Sequence, residues 1–554
     1  MQEQWNESYD AVIVGSGAGS VCAAMATQLA GGTALILEKT DKFGGSTALS
    51  GGVLWMPNNP VMKRAGVPDS MSAARAYLDA CAGSEAPGST KARREAFLTE
   101  GPRAIEFLEQ LGMKFIHSEG WSDYHETEYP GGVARSRSFE AKLFDLRALG
   151  AWRDKLRRHP GAPPVRVPDI AQINLNGRTW NSKMTFLKVG LLMLQNRLGR
   201  DLVRMGHALQ GRLLQIALRN GVQIRLQAPV RELIVQGDRV VGVRIEQSGR
   251  ELRIKANRAV LIDAGGFAHN ASMRQAFQRR GTTTQWTQSN PGDTGEILEM
   301  AIKAGAAVNM MDEAWWLPTS RLPDGSLAAH NPTDLGKPHS LVVDSTGRRY
   351  VDEATSYVAF GIAMYERDKT VPALPSWAII ESRHRARYRW GIQAPGRPPQ
   401  AWLDSGYMKR SDTIEGLAQQ CGMDASILRA TVDRFNELCR RGVDDDFGRG
   451  KSAYHRYWGD PTVKPNPNLG EVSRPPFYAV QIYPGDVGTC GGVVADQWAR
   501  VLRGDGTPIQ GLYATGNATA SVVGRSYPGA GASIAASLVF GYIAARHAMQ
   551  SERS

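Results

Sequence analysis

The chain has 554 residues, 42% of them hydrophobic, with 60 glycines, 29 prolines and a formal net charge of +12. That length and composition describe two or three loop-rich globular domains and exclude a disordered chain. Five cysteines, Cys22, Cys81, Cys421, Cys439 and Cys490, form no Cys-x-x-Cys pair, which suggests neither a disulfide framework nor a zinc site and points to reduced thiols in a cytoplasm.

The opening stretch MQEQWNESYDAVIVG is acidic and polar rather than basic then apolar, so no export signal is expected. No uninterrupted apolar run reaches about 18 residues, so no spanning helix is expected either. The positive charge fits nucleic acid, an anionic bilayer or an acidic substrate. Its basic residues are dispersed rather than interleaved with aromatics in one module, which argues against nucleic acid.

The first element is a β-branched strand, Tyr9 to Gly15, followed by the turn GSGAGS and the Ala-rich helical segment CAAMATQLA. Strand, glycine turn and helix in this order define a Rossmann-like dinucleotide site. Gly15 allows the sharp turn, Gly17 lets the backbone approach a pyrophosphate, and Ser16, Ala18, Gly19 and Ser20 complete the helix entrance. Ser20 stands where the pattern usually has its third glycine, with Gly19 one place early. A second strand, Thr33 to Leu37, ends in Glu38, at the spacing where a carboxylate meets an adenosine ribose.

After Glu38 comes KTDKFGGSTALSGGVLW, a second small-residue helix entrance. Lys39, Gly44, Gly45, Ser46, Thr47, Ser50, Gly51 and Gly52 join the candidate set, and favour a long cofactor held along its length, FAD rather than a mobile nicotinamide. Glu-Lys followed by GGST resembles the FAD-binding half of the succinate dehydrogenase and fumarate reductase flavoprotein superfamily.

Residues 150–206 form an insertion that is basic and proline-rich, then apolar, flanked by Lys183, Lys188, Arg197, Arg200 and Arg204. Two readings are open: a helix packed on the core with a solvated basic face, which is preferred, and peripheral contact of residues 183–206 with the inner face of a membrane. Val222 to Phe267 alternates in period two, with turns at Gln236-Gly-Asp and Ser248-Gly, and ends in a buried strand before Ala264, Gly265 and Gly266. In flavoproteins of this build those glycines approach the cofactor and Val230 faces the adenine. The same resemblance adds Asp293, Gly516 and Asn517.

From Trp316 the texture changes to prolines, charges and short helices, read as an α+β cap spanning 316–484. Glycine-rich cofactor signals return over 485–554. The predicted fold class is therefore α/β: an FAD-binding domain built from 1–315 and 485–554, interrupted by the cap.

Four segments in order, EKTDKFGGSTALSGG, WSDYHETEYPGG, GRRYVDEATSY and PGDVGTCGG with GRSYPGAGAS, resemble the 3-ketosteroid Δ1-dehydrogenases. The resemblance spans nearly the whole chain and implies FAD-dependent removal of hydrogens from carbons 1 and 2 of a 3-ketosteroid A ring. An outside electron acceptor is also implied. It places the electrophilic tyrosine at Tyr527, the backbone donor at Gly531, the basic tyrosine at Tyr357 and a supporting tyrosine at Tyr124. The helix opening at Ala532, Ser533 and Ile534 would face the flavin's pyrimidine edge. The chemistry is coherent: two donors on a ketone oxygen stabilise the developing enolate, and a phenol serves as base where a neighbouring donor favours its phenolate.

Two rivals remain at this level. A related flavoprotein could act at another ring bond of a ketosteroid. A fumarate-reductase-like enzyme would need cations for paired carboxylates, for which Arg348, Arg349, Arg525 and His330 are candidates.

Overall fold

The computed structural model describes residues 4–159, 162–330 and 332–550; Pro160 and Gly161 of the proline-rich insertion lie outside the described residues. Strand Glu7–Val14 sits between two parallel neighbours, Ala34–Leu37 and the C-terminal half of Arg250–Ile262. Both its faces are covered, which is why it reads as a continuous apolar run. Gln223–Arg225 extends the sheet beyond Ala34–Leu37, and Pro508–Ala514 adds a parallel strand on the other side of Arg250–Ile262. The tail thus supplies a strand of the nucleotide sheet, together with the closing helix Ala532–Gln550.

That helix crosses the first helix, Ala18–Leu29, at a glycine pair. A Cβ on Gly541 would lie 2.4 Å from the Gly19 carbonyl oxygen, and one on Gly19 would lie 2.4 Å from the Ser537 oxygen. The glycine that is one place early is therefore the helix-crossing residue. Ser20 in turn is fully buried and donates to the Gly15 carbonyl at 3.0 Å and to Asp263 at 2.8 Å. A hydroxyl does there what backbone packing usually does.

The antiparallel ladder of Val230–Gln236, Arg239–Gln247 and Arg250–Ile262 has two-residue turns at the predicted positions. The cap is an antiparallel sheet ordered Leu327–Ala329, Ala314–Arg321, Phe477–Thr489, Ser376–Glu381, Ser340–Val343, with Met408–Ser411 also on the long strand. Both predicted domain boundaries, 315/316 and 484/485, fall inside strands. Strand Ser376–Glu381 pairs only as far as Ile482, so Pro484 faces an open edge there and removes no ladder bond. The cap is also not limited to short helices, since Ala425–Arg441 runs 17 residues, capped by Asp424 and closed by Gly442 at φ +75°.

The insertion corrects the preferred reading of its apolar stripe. Helix Trp180–Arg197 buries only Ser182, Thr185 and Val189, while Trp180, Leu187, Leu191 and Leu194 are each more than half exposed. The helix also stops at Arg197 rather than continuing to residue 206; a two-residue strand Leu202–Val203 intervenes before helix Met205–Arg219, whose first residue has a positive φ of +57°.

Candidate active site

One continuous cavity of about 540 Å³ runs between the nucleotide sheet and the cap. One end is built from loops that tolerate no side chain. A Cβ on Gly15 (φ +104°) would lie 2.1 Å from the Asp263 oxygen, and one on Gly52 (φ +62°) 2.2 Å from the Met205 backbone. Gly15, Ser16, Gly17, Glu38, Lys39, Gly45, Ser46, Thr47, Ser50, Gly51, Gly52, Val230, Ala264, Gly265, Asp293, Gly516, Asn517, Ser533 and Ile534 all line it. This glycine-walled cradle with N–H donors at two helix entrances and a carboxylate at the far strand suits an adenine dinucleotide.

Six predicted residues do not face the cavity. Ala18, Gly19, Ser20 and Ala532 are buried in helix packing, Gly44 caps the short helix Gly45–Leu49 in the left-handed region, and Gly266 lies beneath Thr489. They position the cradle rather than line it.

The other end is aromatic. The rings of Tyr124, Tyr357 and Tyr527 form a near-equilateral triangle, with centroids 5.8, 5.9 and 5.8 Å apart. Gly531 lines the cavity beside them; at φ +90°, with Val53 O only 1.9 Å from where a Cβ would stand, it can be nothing but glycine. Tyr527 packs on Trp315 at 4.8 Å, and its hydroxyl lies 3.0 Å from Ser533 Oγ. Tyr357 is the first residue of helix Tyr357–Asp368, whose cap is Ser356. The positive helix end lies at the base of this phenol.

Two chain segments meet at Pro528. Its carbonyl accepts from the Tyr124 N–H at 3.0 Å and the Tyr77 hydroxyl at 2.6 Å. Beneath them Trp55 donates to Asp123 at 2.7 Å, and Arg137 bridges Asp123 and Asp69, each at 2.7 Å, with all three charged side chains buried. Removing one member of such a buried set strands the others: Asp123→Asn is expected to cost about 3 kcal/mol, read as a lowered denaturant midpoint with unchanged slope.

Burial pushes the Tyr124 and Tyr357 hydroxyls well above the ordinary phenol range. For Tyr357 the Tyr124 hydroxyl opposes that rise. Tyr527 is also raised by burial, with Ser533 and the Gly531 amide working against it.

Several lining residues escaped the sequence reading: Tyr454, Trp458, Trp315, Asp263 and, as a wall residue, Trp121. Tyr454 stacks 4.6 Å from Tyr124. Asp263 takes the Ser20 N–H at 2.7 Å and Ser537 Oγ at 3.1 Å, and burial raises its pKa to about 6. Its place directly after a buried strand and before two glycines is a signal that could have marked it.

The cations of the dicarboxylate reading are engaged elsewhere. Arg349 is held by Glu353 and Asp444, Arg525 by Asp312 and Glu313, and His330 is fully buried between Ser320 and Asp334. Arg348 is exposed. None of the four lines the cavity, whose lining cations, Lys39 and Arg231, belong to the Glu38 end.

Glycine cradle, carboxylate and aromatic chamber form a dinucleotide site that opens onto an apolar substrate chamber, and a family model described as an FAD binding domain matches residues 10–534; with the relatives below, this makes the protein an FAD-dependent oxidoreductase acting on CH–CH groups. The 3-oxosteroid 1-dehydrogenase of Mycobacterium tuberculosis is 40% identical, covering 98% of each chain. A 4-oxocyclohexanecarboxylate 2-dehydrogenase of Sinomonas cyclohexanicum is 34% identical over 97% of this chain and 92% of its own. The crystal structure of 3-ketosteroid Δ1-dehydrogenase from Sterolibacterium denitrificans, in complex with 1,4-androstadiene-3,17-dione, superposes with a TM-score of 0.92 at 34% identity, covering 99% of this chain and 100% of the other. The chain belongs to the 3-oxosteroid 1-dehydrogenase family of FAD-binding flavoproteins.

Proposed function

We propose that the protein introduces the carbon 1 to carbon 2 double bond into the A ring of a 3-ketosteroid, with Tyr527, Gly531, Tyr357 and Tyr124 in the roles set out here. The observation that carries the reading is the convergence of three phenols and the Gly531 amide on one cavity that also contains the dinucleotide cradle. Tyr527 and Gly531 donate to the C3 oxygen, so charge developing there as carbon 2 loses its proton is met by two preorganised donors. Tyr357 takes the proton, and Tyr124 stabilises the phenolate form of Tyr357. Bound FAD supplies the hydride acceptor for the hydrogen leaving carbon 1. The aromatic walls Trp121, Tyr454 and Trp458 exclude water and offer flat apolar area to a fused-ring skeleton.

Among the described residues no cation lines this end of the cavity, which weighs against a free carboxylate on the substrate. A panel of 3-ketosteroids with an artificial electron acceptor, together with 4-oxocyclohexanecarboxylate and fumarate, tests the reading. Anaerobic bleaching of the yellow protein by a 3-ketosteroid, with a 1,2-unsaturated product, is expected. Bleaching only by a substrate desaturated at another ring bond would move the reaction, and bleaching by the keto acid alone would replace it.

We further infer a peripheral contact with the inner face of an anionic bilayer through helix Trp180–Arg197. Its exposed leucines are interleaved with Lys183 and Arg197, and with Lys188, which also pairs with Asp169 at 3.6 Å; this combines apolar burial with charge attraction. The preceding helix, Val167–Ile173, packs on it and contributes Val167 and Ile170 to the cavity wall. No described helix is long and apolar enough to cross a membrane, so the contact proposed is peripheral. The double variant L187E/L191E removes about 2 kcal/mol of apolar burial per leucine. It is expected to abolish flotation with phosphatidylglycerol vesicles while turnover of a water-soluble ketosteroid is unchanged; retained flotation would reject the contact.

A further inference from the structure

Arg93, on helix Lys91–Gln110, is 1% exposed and has no carboxylate in contact among the described residues. Its Nη1 donates to the carbonyls of Gly88 and Ala520, both at 2.6 Å, and Nη2 to Thr519 Oγ1 at 3.2 Å, while Nε has no partner. The guanidinium lies 4.7 Å over the Phe540 ring. Asp496 acts on it only at a distance and is itself paired to Arg500 at 2.7 Å. Burial lowers the Arg93 pKa to about 10, so the group is still a cation at neutral pH.

A lone buried cation is costly unless something negative shares its surroundings. Here a second positive source adds to it. Helix Ala532–Gln550 has no acidic residue in its first turn, and a small cavity of about 20 Å³ separates Arg93 from that helix entrance at Ala532 and Ser533. This volume holds about one water molecule. Its walls include Trp315, Gly516, Asn517 and Ser533, which also line the large cavity. Guanidinium and helix entrance therefore bring positive charge to one small cavity whose walls are shared with the large one.

We propose that Arg93 is a fixed cation that favours the anionic, reduced form of the bound FAD over the neutral, oxidised form and so raises its midpoint potential. This rests on the reading that the flavin's pyrimidine edge meets the entrance of helix Ala532–Gln550. The carbonyl and threonine contacts hold the guanidinium in place; they do not neutralise it.

The test uses FAD-loaded wild type, R93Q and R93K, each titrated by dye equilibration for its midpoint potential and by sulfite, whose binding also builds negative charge on the ring system. R93Q keeps donors and loses charge. Its preference for reduced over oxidised FAD is expected to fall about tenfold, equivalent to about 30 mV for a two-electron couple, with sulfite affinity weakened by a similar factor. R93K is expected to stay within about twofold of wild type, because the charge is retained. A folded, FAD-loaded R93Q with wild-type potential and sulfite affinity would overturn the proposal. Should R93Q fail to fold, T519D places a counter-ion against the retained guanidinium and is expected to lower the potential likewise; an unchanged value there overturns it equally. Anaerobic bleaching by a 3-ketosteroid separates the two readings. Loss of bleaching in wild type condemns the proposed reaction, whereas normal bleaching with an unshifted R93Q condemns only the role of Arg93.

Discussion

Tyr527→Phe is expected to retain FAD and to lower kcat about 100-fold, about 2.7 kcal/mol, the lower end of the scale for losing one oxyanion donor. The phenylalanine ring keeps what the tyrosine ring contributes to packing: the contacts with Trp315 at 4.8 Å, Tyr357 at 5.8 Å and Tyr124 at 5.9 Å. What disappears is one hydroxyl, held 3.0 Å from Ser533. That hydroxyl matters most when charge reaches the substrate oxygen, so kcat falls more than KM rises. The Gly531 amide remains as the second donor, which is why activity is reduced rather than abolished. Steady-state kinetics on protein of matched FAD content decides the matter, and an unchanged kcat would remove Tyr527 from the reaction.

The sequence showed the cofactor cradle more clearly than the substrate chamber, and the reason is physical. Gly15, Gly52, Gly265 and Gly531 all adopt positive φ against neighbouring backbone or side-chain atoms, so their identity is dictated locally and reads directly from the chain. Tyr454 and Trp458 sit on a one-and-a-half-turn helix, Ala453–Trp458, with no glycine or period to mark them; they join the chamber only through tertiary packing. The Trp180–Arg197 stripe failed differently. A run of leucines with flanking bases has the same pattern whether it faces a protein core or a bilayer, and only the tertiary arrangement shows that, among the described residues, no core covers it. The tail tyrosine lay between these cases. YPGAG was legible because Gly529 lies under Trp55 and Gly531 under Val53, while the partners of Tyr527 came from positions 124 and 357, far away in sequence.

Tyr357→Phe is expected to have the larger effect, about 10³-fold on kcat within the 10²–10⁴ range of general base catalysis, and to abolish solvent exchange of the hydrogen at carbon 2. Burial raises the Tyr357 pKa well above the ordinary phenol value, and the Tyr124 hydroxyl works in the opposite direction. A base must be deprotonated to act. Below its pKa the phenolate fraction grows tenfold per pH unit, so wild-type kcat/KM is expected to rise with pH through the neutral and alkaline range. Tyr124→Phe removes the group that lowers the Tyr357 pKa, so the rising limb should move to higher pH, with activity partly recovered at high pH. In Tyr357→Phe the rise itself should disappear. Deuterium incorporation at carbon 2 from heavy water isolates this step from hydride transfer, since it needs only the base and the donors at the ketone. Persistence of exchange in Tyr357→Phe would assign proton abstraction to a different group, and Tyr454, which lines the same cavity 4.6 Å from the Tyr124 ring, would be the next to replace.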